Sequence, residues 1–276
     1  MTIKGKIHEF FFRSRIFTIV NKNKKYHLKV SIKDFEEFSK VLFFHPTVIV
    51  HVRKMKNIGL YEVLAFRLIV IKKHGKRIVY YSQEFLQNEI KKLLRSFQNK
   101  LFLDLEFTLP NRNQISEIVE YGIVLDNNHG EIIFQEKNFL KPFFENSVNE
   151  KTLEFLTISK DKIKKGKSYL AFYKLLENLI NEHNPKIIAW GRGDLMILEK
   201  SFRINHLKPL DIRSRYINIM QIIKNYLGEK QELGLFDVYT SFSHTTKELV
   251  QHHDALVDAQ MARSNYYMFL NKINEK

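Results

Sequence analysis

The chain has 276 residues with 44% hydrophobic residues, no cysteine and a formal net charge of +15. This composition predicts one or two folded domains and excludes disulfides, zinc–thiolate sites and a cysteine nucleophile. The N-terminus has scattered charges rather than a signal-peptide pattern, and no apolar run approaches the ~20 residues of a membrane span. We therefore expect a cytoplasmic protein with no membrane partner.

The positive charge is concentrated in the first third of the chain. Residues 1–99 contain 21 Lys and Arg against 7 Asp and Glu, a net charge of +14, whereas the remainder has 24 against 23. A segment this basic indicates a polyanionic partner, with nucleic acid favoured over an anionic membrane. The charge shift and the polar "QNK" predict two domains, 1–97 and 98–276.

The first domain is predicted to be rich in β-structure. Its strand-like runs are "FFRSRIFTIV", "YHLKVSI", "TVIVHVRKM", "YEVLAFRLIVI" and "RIVYYS", with "NKNKK" as a hairpin connection and "KKHGK" as a further turn. Apolar residues at helical spacing then predict a helix within 83–97. We expect a small basic β-barrel or curved sheet with a connecting helix, which binds nucleic acid.

The second domain alternates between the two element types. The pattern predicts strands at 101–107, 117–125, 131–140 and 186–190, and helices at 169–183, 194–204, 216–227 and 255–271. Strands followed by mixed elements indicate an α/β domain built on a sheet.

The segment "KLFLDLEFTLP" (100–110) places two acids inside an apolar strand. Because side chains alternate, Asp104 and Glu106 share one face, about 6–7 Å apart at the backbone, opposite a fully apolar face. Like charges at that distance repel unless a cation lies between them or one is protonated. Their oxygens suit Mg²⁺ or Mn²⁺. For these two residues alone, a strand with a solvated polar face is the more frequent alternative.

Further acids follow in similar settings. Asp194 in "AWGRGDLMILEK" begins a predicted helix, where capping is its ordinary role. His253 and Asp258 in "HHDALVDAQMA" lie at the start of the last predicted helix. Taken singly, each is more often a surface residue than a catalyst.

As an ordered set, these motifs resemble the DEDDh family of 3′–5′ exonucleases, which are DnaQ-like proteins with an RNase H-like fold. "SEIVEYGIVLDNNHGEIIFQEKNFLKP" and "LTISKDKIKKGKSYLAFYKLLENLI" are similar to further blocks of that family. The resemblance covers about residues 100–270, and "AWGRGD" resembles the KapD and Eri-type branch, which acts on RNA. The first motif departs from the common Asp-x-Glu-Thr-Thr-Gly, and Arg192 and Gly193 precede Asp194 where the family often has Asn and Phe.

The resemblance implies metal-dependent hydrolysis that releases nucleoside 5′-monophosphates from single-stranded 3′ ends, with RNA favoured as the substrate. It assigns two Mg²⁺ or Mn²⁺ ions to Asp104, Glu106, Asp194 and Asp258, the general base to His253, and contacts with the terminal nucleotide to Thr108 and Phe107. A DNA-directed proofreading or repair exonuclease is the closest alternative. An inactive nucleic-acid-binding or assembly protein is the alternative from another class.

Overall fold

The computed structural model describes residues 1–41, 46–56, 59–71, 76–109, 115–243 and 253–275. It divides into two compact units, Met1–Lys92 and Leu93–Lys276. Most of the turn predicted from "KKHGK" lies outside the described residues. Within those ranges, no helix combines the length and apolar character that crossing a bilayer requires.

Unit 1 is a barrel with an added strand. Its elements are β1 (Thr2–Phe11), β2 (Ile16–Asn21), β3 (Lys24–Lys29), α1 (Ile32–Val41), β4 (Thr47–Lys54), β5 (Tyr61–Ile71), β6 (Arg77–Tyr81) and the larger part of α2 (Gln83–Arg95). Antiparallel pairs join β3–β2–β1–β4–β5, and a parallel β3–β5 pair closes the five strands. β6 extends the sheet from β5. Of the two predicted alternatives, the structure has the barrel.

One local prediction in unit 1 was wrong, and one element was missed. "FFRSRIFTIV" is not one strand, because β1 ends at Phe11 and a turn precedes β2. α1 was not predicted, although Phe38 and Val41 have helical spacing and both lie in the barrel core. The hairpin at "NKNKK" is confirmed: Lys22 and Asn23 both have positive φ, as a two-residue type I′ turn requires.

Unit 2 is a mixed sheet with helices. Its elements are β7 (Lys100–Phe107), β8 (Ile118–Asp126), β9 (Ile132–Phe139), α3 (Glu150–Leu156), α4 (Lys160–Lys164), α5 (Tyr169–His183), β10 (Lys186–Ala189), α6 (Gly193–Ile204), β11 (Tyr216–Asn218), α7 (Ile219–Leu227), α8 (Leu235–Ser243) and α9 (Ala255–Asn274). The strand order is β11-β10-β7-β8-β9, antiparallel among β7–β9 and parallel for β10 and β11. The helix predicted at 216–227 was wrong at its start, where β11 precedes the N-cap Asn218.

The central strand β7 is covered on both faces. Leu101 and Leu103 pack in the main core with Phe172 of α5. On the opposite face, the ring of Phe102 lies 5.6 Å from that of Tyr266 in α9. The acids of β7 therefore lie on a face that α9 covers in part, and the alternative of an ordinary solvated strand face is wrong.

Candidate active site

Strand β7 places the first two predicted acids side by side. Its register with β8 sets Asp104 opposite Gly122 and Glu106 opposite Glu120. Asp104 is partly exposed, whereas only 8% of Glu106 is exposed. The alternation of the strand thus directs both carboxyl groups to one side of the sheet.

Asp194 reaches the same strand from the first turn of α6. The N-cap of α6 is Arg192, so the capping role considered for Asp194 was wrong. Its Oδ1 atom accepts a hydrogen bond from the backbone N–H of Leu105 at 3.0 Å. That bond holds a buried carboxylate against the backbone of β7 at Leu105, the residue that separates Asp104 from Glu106 in the chain.

The start of α9 supplies the remaining predicted residues. Asp258 lies in the first turns of the helix and is 5% exposed. His253 directly precedes the N-cap Asp254 and has a left-handed φ of 47°. Its Nδ1 atom lies 3.7 Å from Oε1 of Glu106. One ligand atom from each of Glu106, His253 and Asp258 lies within 4.8 Å of the others.

The acids of the cluster have raised pKa values, because burial and the neighbouring carboxyl groups disfavour their charged forms. Burial, together with the charges of Asp258 and Glu120, raises the pKa of Glu106 to about 8. Burial raises the pKa of Asp194 to about 7, although the backbone hydrogen bonds oppose the shift. Burial and the nearby Asp194 and Glu106 also raise the pKa of Asp104 well above its usual range.

This donor set fits divalent cations of the magnesium class. Its oxygens are hard ligands, and Mg²⁺ and Mn²⁺ prefer carboxylates. A cation among these groups would favour their charged forms, which burial and mutual repulsion otherwise disfavour. The chain contains no thiolate that would select a softer metal.

A second group of charges holds the start of α9 against the sheet, and sequence reasoning missed it. Lys137 of β9 places its Nζ atom 2.8 Å from Oε1 of Glu120 and 2.6 Å from Oδ2 of Asp254. Glu120 also accepts a hydrogen bond from the backbone N–H of Ala255 at 3.3 Å. Glu120 belongs to the quoted family block, but no local signal pairs Lys137 with a residue 117 positions away.

Phe155, Phe107 and Thr108 lie in different surroundings. The ring of Phe155 in α3 lies 4.3 Å from the imidazole of His253, a contact that the sequence did not indicate. Phe107 is partly buried and packs against the main core. Thr108 is fully buried, and its hydroxyl accepts a hydrogen bond from the N–H of Glu117 at 3.0 Å.

Two sequence comparisons match this chain to exonucleases. The model of the exonuclease family RNase_T matches residues 101–266. The probable 3′-5′ exonuclease KapD of Bacillus subtilis (strain 168) is 27% identical over 167 residues, which cover 59% of this chain and 80% of KapD.

Solved structures share the fold of unit 2. The nuclease domain of 3′hExo, a DEDDh family member bound to rAMP, has a TM-score of 0.56 at 16% identity, covering 64% of this chain and 94% of that domain. A 3′-exonuclease solved for its 3′-end specific recognition of a histone mRNA stem-loop has a TM-score of 0.55 at 13% identity. The match covers 70% of this chain and 81% of that chain. These likenesses establish the RNase H-like fold. Because the family model spans more than half of the chain, the chain belongs to the RNase_T exonuclease family and is an enzyme, an exonuclease.

Proposed function

We propose that unit 2 hydrolyses the terminal phosphodiester at single-stranded 3′ ends, with RNA as the favoured substrate, and releases nucleoside 5′-monophosphates. The observation that carries this proposal is the arrangement of acids from β7, α6 and α9 around one cluster, with His253 3.7 Å from Glu106.

Four carboxylates would hold the cations of the reaction. They are Asp104, Glu106, Asp194 and Asp258, and we propose that they are the ligands of two Mg²⁺ or Mn²⁺ ions. When bound, such ions supply a lowered pKa for water and electrostatic stabilisation of the charge that develops on the phosphate oxygens. The hydrogen bond from Leu105 orients Asp194 before any cation binds.

His253 would act as the general base. Partial burial lowers its pKa, so the imidazole is neutral near pH 7 and can accept a proton from the attacking water. The ring of Phe155 limits its orientation. Once protonated, the imidazolium lies with its Nδ1 atom 3.7 Å from Oε1 of Glu106.

Several finer assignments stay predictions. RNA is favoured because "AWGRGD" resembles an RNA-directed branch, and because the structural relatives were solved with rAMP and with a histone mRNA stem-loop. A DNA-directed exonuclease is the alternative. Contacts of Thr108 and Phe107 with the terminal nucleotide, nucleic-acid binding by residues 1–97 and a cytoplasmic location also remain to be tested.

The proposal is tested with single-stranded RNA and DNA oligonucleotides labelled at either end. We expect successive loss of 3′ residues in Mg²⁺ or Mn²⁺, release of 5′-monophosphates, faster hydrolysis of RNA, and no hydrolysis in EDTA. Asp104→Asn should abolish hydrolysis and leave binding nearly intact, whereas the exposed Asp161→Asn on α4 is the matched control. Wild-type rates in Asp104→Asn would refute the assigned site.

A further inference from the structure

The outward surface of strands β1, β2 and β3 in unit 1 carries an ordered set of side chains. The register places them in three rows across the strands: Lys6, Val20 and Lys25; Glu9, Thr18 and His27; Phe11, Ile16 and Lys29. Within the second row, Thr18 is itself fully buried. The alternating residues Phe17, Ile19 and Leu28 fill the barrel core. We call these three rows, together with the loop 12–15, the barrel face.

The barrel face is positively charged. Lys6, Lys25 and Lys29 lie in its rows, and Arg13 and Arg15 lie in its loop. Within the described residues, the ion pairs of unit 1 involve none of these five cations. The Nε atom of Arg15 is buried and has no acceptor among the described residues. Cations without acidic partners are available to an anionic ligand.

The same surface exposes aromatic rings at one end. Phe11 and Phe12 are 52% and 49% exposed at the junction of β1 and its loop. The ring of Phe12 packs edge-on against Phe10 at 4.7 Å, which limits its orientation. In the second row, Nδ1 of His27 lies 3.1 Å from the hydroxyl of Thr18. Exposed rings among cations are the combination that binds successive bases and phosphates of a single strand.

The topology places this surface in a known architectural context. A five-stranded barrel with the order β3-β2-β1-β4-β5, closed by a parallel β3–β5 pair and with a helix between β3 and β4, is the arrangement of the OB-fold. OB-folds bind oligonucleotides or oligosaccharides on the face of strands 2 and 3 and on the adjoining loops. A fold alone does not decide between these ligands. The unpaired cations of the barrel face favour the phosphate-bearing one.

We propose that the barrel face binds single-stranded nucleic acid, with phosphates along Lys6, Lys25 and Lys29 and a base stacked on Phe11. A single strand fits because an unpaired base can present its face to an exposed ring, whereas duplex bases are already stacked. The proposal deepens the proposed function and rests on it for the identity of the polymer. It gives unit 1 a substrate-binding site of its own, separate from the carboxylates of unit 2.

The first test measures base stacking in the full-length chain. Anisotropy of fluorescein-labelled oligo(U) and oligo(dT) in EDTA reports binding without hydrolysis. Phe11→Ala should raise Kd roughly 5- to 150-fold, the equivalent of one lost stacked base. Phe11→Tyr should remain within about twofold of wild type, because it retains a ring that stacks. In the described part of the chain no other ring packs on Phe11, and thermal melting checks that each variant is folded.

The second test measures phosphate contacts independently of the first. The triple variant Lys6→Ala, Lys25→Ala, Lys29→Ala should reduce the slope of log Kd against log salt by about 2, at ~0.7 for each phosphate contact on a single strand. The control triple Lys33→Ala, Lys40→Ala, Lys92→Ala changes the charge equally, but each of these lysines already pairs with a glutamate, so the slope should be unchanged.

Three results would overturn the proposal. They are an unchanged Kd for Phe11→Ala, equal slopes for the two triple variants, and equal affinity for a duplex of the same length. The two polymers show whether the face distinguishes RNA from DNA. Hydrolysis by the wild type in Mn²⁺, measured separately on the 4-nitrophenyl ester of thymidine 5′-monophosphate, tests the nuclease proposal, so the two failures are distinguishable.

Discussion

Gly122 allows α9 to begin directly against strand β8, and adding one methyl group there should displace two of the five candidate site residues, His253 and Asp258. A Cβ atom at this position would lie 2.1 Å from the carbonyl oxygen of Ala255 and 2.3 Å from the backbone nitrogen of Leu256. These are backbone atoms and cannot rotate away. Relief of the clash therefore requires the start of α9 to move.

The magnitude follows from ordinary contact distances. Non-bonded atoms pack at about 3.5 Å, so Gly122→Ala should displace the first turn of α9 by roughly 1.4 Å. Overpacking of this kind costs about 1–3 kcal/mol. For a unit of this size, that loss corresponds to a Tm lower by roughly 2–4 °C per kcal/mol. The larger effect is geometric, because a misplacement of about 1 Å at a catalytic group can reduce the rate on the order of 100-fold.

The assay is the initial rate on the 4-nitrophenyl ester of thymidine 5′-monophosphate with Mn²⁺, combined with thermal melting. The short substrate restricts the measurement to the carboxylate site. Gly193→Ala is the matched control, since a Cβ there meets nothing closer than the Cζ atom of Phe107 at 4.0 Å. Wild-type kcat and Tm in Gly122→Ala would refute the view that close contact between β8 and α9 positions His253 and Asp258.

Three further predictions concern the charges of the site. Lys137→Met should lower the free energy of unfolding in urea by about 1–3 kcal/mol and should lower kcat, because Glu120 is left buried without its cation. Lys137→Arg keeps the positive charge and should retain most of the stability and most of the kcat. Asp194→Asn should abolish hydrolysis but keep the Tm, because the amide oxygen still accepts the hydrogen bond from the Leu105 N–H. Asp194→Ala should abolish hydrolysis and also lower the Tm, because it removes that acceptor. Equal Tm values for the two variants would contradict this prediction. In EDTA, the free energy of unfolding should fall as pH rises from about 5 through 8, because the pKa values of Glu106 (about 8) and Asp194 (about 7) lie above those of an unfolded chain. Added Mn²⁺ should diminish this loss of stability. A rise in stability over the same pH window would contradict the prediction.

Local patterns were sufficient where an element's own residues decide its structure. The two-residue periodicity of β7 correctly separated its apolar face from the acids, and the strands β8 and β9 and the helix α5 lie within one or two residues of their predicted bounds. The ordered motifs also led to the exonuclease family, which the family model confirms. The roles of the individual site residues stay predictions.

Other features depended on partners far away in the chain. Capping was the ordinary expectation for Asp194, but its carboxylate accepts a hydrogen bond from a strand 89 residues earlier. α1 was missed because its short apolar pattern becomes decisive only when Phe38 enters the barrel core.

The sequence by itself determined the periodicity of the main elements, the concentration of positive charge in the first 99 residues and the spacing of the acidic motifs. Each of these depends only on residue types and their order along the chain. Only the tertiary structure decided that β3 closes on β5, that Lys137 joins Glu120 to Asp254, and that cations and exposed rings share one face of the barrel. The physical reason is that these arrangements depend on chain segments distant in sequence, whose pairing is fixed by burial and register rather than by local preference.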